Sequence, residues 1–401
     1  MKKIVQIILF SLIMISTANA QLTDSLPQNL SLNIADRLLM TDGNLKIGGY
    51  GGVHYNQSVS RDTRYNGNLD VHRFIMMLGY QFNSRTQFIT ELEFEHVKEV
   101  YVEQAFLQYR LNNYVNFRGG LLLIPMGITN EYHEPTNFNG VERPLIDKYI
   151  APTTWREIGF GVSGVILPLS LKYQAYLVNG FASYNGEGLI GGSGGLRGGR
   201  QKGAKSMISH PNFSAKIEYF GVRGLNLGLS AYTGKTQSSM YNGMDKNDNT
   251  AIATADSSVA GISMIGLDTR YGTGGLRLSG QLYYTSLSNT YSYNSYTATR
   301  GGGELGSSMY GFYIDLGYDI LRWSETEMRL FPFVRYSAYD TQLTVPDNII
   351  DNPAFARKAV TTGLSFYITD GTVLKADMQF INDGASDNYS ATFNAGFGIM
   401  F

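Results

Sequence analysis

Ser193 stands in Gly191-Gly192-Ser193-Gly194-Gly195, the G-x-S-x-G spacing of a serine nucleophile elbow. An elbow needs a strand before it and a helix after it, because that sharp turn is what lifts the hydroxyl out. Here the motif falls in a Gly-rich, basic stretch, 186–205, that reads as an outer loop. Asp245, Asn247, Asn249 and Asp256 echo the oxygen ligands of a calcium loop, but Thr250 stands where the turn needs Gly and Asp256 where it needs a bidentate Glu. Gly234-Lys235 has Leu229 where a phosphate-binding loop needs its first Gly. His54, His72, His96, His133 and His210 show no H-E-x-x-H and no short metal-ligand spacing. There is no Cys, which removes disulfides, thiolate metal sites and Cys nucleophiles together. The sequence thus predicts no enzyme, no metal and no cofactor. A barrel-embedded hydrolase would need Ser, His and an acid converging at one edge, and no His stands well placed beside a Ser.

The remaining polar residues have a different logic: they alternate with apolar ones. Phe213, Ala215, Ile217 and Tyr219 oppose Lys216 and Glu218; Leu374, Ala376, Met378 and Phe380 oppose Lys375, Asp377 and Gln379. At the C-terminus Tyr389, Phe393, Phe397, Ile399 and Phe401 oppose Ser390, Thr392 and Asn394. Successive side chains of a strand point to opposite faces, so each stretch is a strand with one greasy side. The device recurs from Asn44 onward and predicts about 16 strands. Two stretches, 100–111 and 260–271, read as strands whose phase is not fixed; in the first, Glu103 sits among Tyr101, Ala105, Leu107 and Tyr109.

Composition fits many strands that do not all face water. The chain has 46 Gly, 28 Tyr and 21 Phe, and 16% of its residues are charged, against about 25% in ordinary globular proteins. Lys2 and Lys3, the apolar run 4–15 and Ala18-Asn19-Ala20 form the three parts of a signal peptide cut after Ala20. Residues 21–43 then form a periplasmic leader and 44–401 the barrel. The net charge of -1 offers no excess of cations for nucleic acid.

The connections alternate too. Short ones, such as Asn83-Ser84, Asn112-Asn113 and Thr369-Asp370-Gly371, interleave with long ones, such as 124–154, 183–211 and 235–258. Short periplasmic turns with long extracellular loops are the pattern of an all-β, transmembrane antiparallel barrel of the bacterial outer membrane. At about 16 strands such a barrel encloses water. The apolar faces then meet lipid and lipopolysaccharide, with Tyr50, Tyr55, Tyr80, Tyr109, Tyr284, Tyr318 and Phe401 supplying aromatic girdles. The polar faces line the channel with about nine bases, including Arg73 and Arg118, and as many acids, which predicts a mixed charge field.

The stretch from Leu122 onward carries Pro125-x-Gly127, Glu131, Glu142-Arg143-Pro144 and Arg156-Glu157-x-Gly159-x-Gly161. With Arg73 and Glu91-x-Glu93-x-Glu95 before it, this resembles the phosphate-selective porin family (porin O and P type), in a Bacteroidetes-like version. The resemblance covers roughly residues 45–182 and the terminal strand. It implies a 16-stranded barrel, commonly a homotrimer, with the third outer loop folded into the pore, and a terminal aromatic, Phe401, read by the barrel assembly machinery. The expected function is a porin passing small hydrophilic solutes or ions by passive diffusion. Anion or phosphate selectivity is one alternative; a surface-binding or adhesion barrel is another. Glu131, Glu134, Glu142, Arg143 and Lys148 on that loop, facing Arg73 and Arg118 on the wall, are the expected constriction.

Overall fold

The computed structural model describes residues 30–401; the export signal, its cleavage point after Ala20 and residues 21–29 lie outside the described residues. Sixteen antiparallel strands close into one barrel. The first seven are β1 (Leu45–Val59), β2 (Asn68–Gln81), β3 (Thr86–Glu95), β4 (Glu99–Arg110), β5 (Asn116–Leu123), β6 (Arg156–Ile166) and β7 (Leu171–Val178). The rest are β8 (Asn212–Val222), β9 (Leu225–Lys235), β10 (Gly261–Thr273), β11 (Leu276–Ser288), β12 (Ser308–Tyr318), β13 (Arg329–Thr344), β14 (Ala356–Thr369), β15 (Thr372–Asp383) and β16 (Tyr389–Met400). Each pairs with its neighbour in sequence, and β1 pairs with β16 from Tyr50↔Met400 to Val59↔Ala391. Phe401 extends the seam: its N–H donates to Gly49 at 2.9 Å and its carbonyl accepts from the Gly49 N–H at 3.0 Å. The ring therefore has no open edge, which lipid would not tolerate.

The faces sort as alternation dictates, with burial inverted relative to a soluble sheet. In β8, Phe213, Ile217 and Tyr219 are exposed while Ser214, Lys216 and Glu218 are buried. Ile265, Leu267, Leu282, Tyr284, Ile314, Leu316, Leu374 and Phe397 likewise point outward. Tyr80, Tyr109, Tyr284, Tyr318 and Phe401 are exposed and Tyr55 is half-buried. Tyr50 departs from the girdle expected of it. It falls on the inner face with Lys46 and is fully buried, and its hydroxyl donates to Glu91 at 2.5 Å.

Both unphased strands have a physical cause. In β4 the register slips between Glu91↔Gln104 and Leu92↔Val102, leaving Glu103 as the extra residue of a β-bulge. Glu103 and Gln104 consequently both face inward and are buried. In β10 the inner face carries Ile262 and Met264 toward the long-loop end and Asp268 and Arg270 toward the other, so apolar residues stand on both faces of its upper half.

Turns at one end are short; loops at the other are mostly long. Two of the loops carry the helices Asn249–Ser257 and Thr290–Thr297, and two are joined by a parallel pair, Ala182–Tyr184 with Gln237–Ser238. The third loop, 124–155, turns into the barrel and carries a short helix, Ile146–Tyr149. One further helix, α1 (Ile34–Met40), precedes the barrel, capped by Asn33, whose side chain accepts from the Asp36 N–H at 2.8 Å.

Candidate functional site

The third loop enters the lumen through a neck that Asn130 fastens. Its side chain donates to the carbonyls of Ile124 at 2.8 Å and Trp155 at 2.9 Å, and accepts from the Trp155 N–H at 2.9 Å. Gly127 makes the inward turn at φ +67°, where a Cβ would collide with the Tyr283 hydroxyl. Beyond the neck the loop is bonded to walls on opposite sides of the barrel. Glu131 takes Lys216 of β8 at 2.8 Å and also accepts from Gln174 of β7. His133 meets the Tyr50 hydroxyl of β1 at 2.5 Å. Asn139 donates to Asp315 of β12 at 2.6 Å, and the Val141 N–H donates to Asp377 of β15 at 2.7 Å. Asp147 accepts from Gln281 of β11 at 2.6 Å. The loop thus crosses the lumen as a fixed partition rather than a flap.

A second element lies beneath it. α1 sits inside the short-turn mouth of the barrel. Asp36 is buried and pairs with Lys172 of β7 at 2.7 Å and Arg118 of β5 at 2.9 Å. Lys46 of β1 and Gln87 of β3 donate to the Leu39 carbonyl at 3.0 and 3.1 Å. The helix also contacts the loop: the Ile34 N–H donates to Glu134 at 3.0 Å, and Tyr132 donates to the Ser31 carbonyl at 3.1 Å. Burial works against ionisation of Asp36, but the two cations outweigh it and hold its carboxyl well below the usual range.

The seven residues expected at the constriction are therefore dispersed. Glu131 and Glu134 anchor the loop, one to the wall and one to α1. Arg118 faces Asp36, and Arg73 faces Glu93 at 3.4 Å and Glu103 at 3.9 Å, so neither wall arginine meets a loop carboxylate as expected. Arg73, Glu142, Arg143 and Lys148 do line one space together. Above the loop is a cavity of about 420 Å³, whose lining cations are Arg73, Arg143, Lys148, Arg197, Arg200, Lys202 and Arg357, against Glu95, Glu142 and Asp147. Burial and the neighbouring Arg73 lower Arg143 to about 10; burial, Arg197 and Arg156 lower Arg200 to about 9. Both remain cationic at neutral pH. For Glu142 burial is outweighed by His54 and Asn56, and its carboxyl is held down at about 2. For Asp147 burial wins over its Thr129 and Gln281 hydrogen bonds and pushes the carboxyl up to about 7.

With this geometry in hand, comparison with known proteins places the chain. An uncharacterized protein of Aquifex aeolicus (strain VF5) is 31% identical over 358 residues, which is 86% of this chain and 77% of that one. The chain belongs to that protein's family. No family model matches the sequence. Among solved structures, an anion-selective porin from Comamonas acidovorans is 12% identical at a TM-score of 0.56, covering 89% of this chain and 99% of its own. Salmonella typhi OmpF in complex with daunomycin is 13% identical at 0.55, over 90% and 98%. OmpT of Vibrio cholerae in a trimer form, described as an outer membrane protein, is 10% identical at 0.54, over 90% and 100%. The fold is the porin fold.

Sequence motifs that pointed elsewhere dissolve in the same geometry. Ser193 is exposed in a tight turn closed by a Gly191–Gly195 bridge, not on a strand-to-helix step. Asp248 caps the helix Asn249–Ser257, so the calcium-like spacing starts in the preceding turn with Asp245 and Asn247 and ends inside the helix with Asn249 and Asp256. The residues that sequence reading missed are Asp36, Glu103, Asp268 and Arg270. Asp268 lies 3.3 Å from Lys216, while Arg270 pairs with Glu218 at 2.9 Å and stacks over Tyr132 at 3.9 Å. The signal for the last three was their strands' own irregular phase; for Asp36 it was a lone acid within a short helical stretch.

Proposed function

We propose that this protein is a porin of the bacterial outer membrane, exported with a cleaved signal peptide, through which small hydrophilic solutes or ions diffuse without chemistry. The observation that carries this reading is the closed ring whose outer face is apolar and whose inner face carries charged pairs such as Lys216–Asp268 and Arg335–Asp315, the sorting expected of strands with lipid on one side and a polar lumen on the other. The third loop narrows the lumen and α1 narrows it again. Glu142, Arg143 and Lys148 set the field at the entrance, while Glu131 and Glu134 hold the partition in place. Phe401 closes the seam and serves the assembly machinery as its terminal aromatic. A homotrimer is the assembly we favour, as the trimer form of the Vibrio OmpT neighbour suggests. Swelling of liposomes carrying the purified barrel in sugars of graded size tests the reading: uptake with a size cutoff is expected, and no uptake from folded protein counts against it.

A second reading concerns ions. Wall charges are largely paired, which alone would give the mixed field expected from counting them. The cavity above the loop has six cations besides Arg73, which Glu93 and Glu103 pair, against three carboxylates, and excess charge at an entrance sets preference. An anion preference follows, in the direction of the phosphate-selective resemblance. Reversal potentials in a KCl gradient should show it and should fall toward zero in Arg197→Glu/Arg200→Glu; cation preference in the wild type would refute it.

A further inference from the structure

We propose that Asp70, His72 and His96 form a binding site for a borderline divalent transition metal such as Zn²⁺, at the long-loop rim of the barrel. Three of the chain's five histidines meet here although nothing in their spacing announces it. The β1–β2 register sets His54 against Asp70, and the β2–β3 register sets Arg73 against Glu95, so His72 and His96 become neighbours. Asp70 Oδ2 lies 2.6 Å from His96 Nδ1 and 3.8 Å from His72 Nδ1, and the three residues each offer a ligand atom within 4.8 Å of the other two. A tetrahedral Zn²⁺ with bonds near 2.0 Å needs its ligand atoms about 3.3 Å apart. Small side-chain rotations separate the first pair and close the second.

The surroundings support a metal rather than an ordinary rim. His96 and Val97 both hold positive φ, at 53° and 68°, and for a β-branched residue this is an outlier. That turn folds His96 back over Asp70. His54 stacks on His72 with ring centroids 4.4 Å apart and planes 13° apart, and its Nδ1 lies 3.3 Å from Glu142. Glu95 lies 3.8 Å from His96 Nε2. A carboxylate behind an imidazole is the outer-shell arrangement that orients ligating histidines. Two nitrogens and one oxygen suit Zn²⁺, Ni²⁺ or Cu²⁺, whereas Ca²⁺ and Mg²⁺ prefer all-oxygen shells. Three protein ligands leave coordination positions open to water.

The test is calorimetric titration of ZnCl₂ into the purified full barrel after chelator treatment, at neutral pH, with heat-modifiable gel mobility as the check of folding. The wild type should bind about one Zn²⁺ per chain, and His72→Ala/His96→Ala should weaken binding roughly tenfold or more. His210→Ala, in a different loop, should leave it unchanged. His96→Ala alone, at an exposed position, supplies the same comparison if the double variant does not fold. Equal binding by the wild type and the folded His96 variants, or an equal loss in His210→Ala, overturns the proposal.

Discussion

Asp36 and Lys172, 136 residues apart in sequence, are joined at 2.7 Å inside the barrel. The contact fixes α1 in the short-turn mouth, with Arg118 as its second cation. Removing one partner of a buried ion pair leaves an uncompensated charge, which typically costs about 3–5 kcal/mol. Asp36→Ala should therefore release the helix. Trypsin added at the short-turn end should then cut after Arg37 within conditions that leave the wild type intact. The carboxyl is held below its usual range, so the docking energy is in place above about pH 4 and is lost only on further acidification. Protection of Arg37 should thus be constant from pH 5 to 8.

Asp147 supplies the opposite sign. Burial raises its carboxyl to about 7, so the folded loop holds a proton that the unfolded chain gives up near pH 4. Between those values the native state binds more protons, and stability falls as pH rises, levelling off above pH 7. The current through the channel should become noisier between pH 6 and 8 as Asp147 ionises in its buried site and the third loop loosens. Asp147→Asn, which mimics the protonated acid, should give quiet currents across that range. An unchanged pH profile in this variant would remove Asp147 as the cause.

Deleting Phe401 removes both backbone bonds to Gly49 and an exposed aromatic at the barrel seam. Folded, heat-modifiable barrel in the outer membrane should drop several-fold, while the channels that do assemble should conduct normally. Phe401→Ala keeps the two backbone bonds, so the comparison separates seam closure from recognition of the aromatic ring.

The barrel was legible because alternation is local and the lipid face demands it at strand after strand. Phe213 with Lys216, and Leu374 with Lys375, give the facing of their strands unaided. Two strands break the alternation, each for a physical reason. A bulge at Glu103 puts two consecutive residues on one face, and Ile262 and Met264 are buried inside, where polar residues are otherwise the rule. Tyr50 was misread because an aromatic near a strand end looks like a girdle residue until its hydrogen bond to Glu91 is seen. The site was less legible than the fold. Which acid meets which base depends on where a long loop crosses the lumen, and that path is set by partners such as Glu131–Lys216 and Asn139–Asp315, far apart in sequence. The docking of α1 left only a faint local trace, Asp36 as a lone acid in a short helical stretch.

Single-channel recording in planar bilayers, on the chain from Gln21 and on the same chain lacking residues 30–42, tests the central claim most directly. Both folded proteins should open discrete, ohmic steps, and the truncated one should open larger steps because the short-turn mouth is cleared. Folded barrels that never open a step in either form would contradict a water-filled channel, and equal steps in the two forms would contradict the role given to α1.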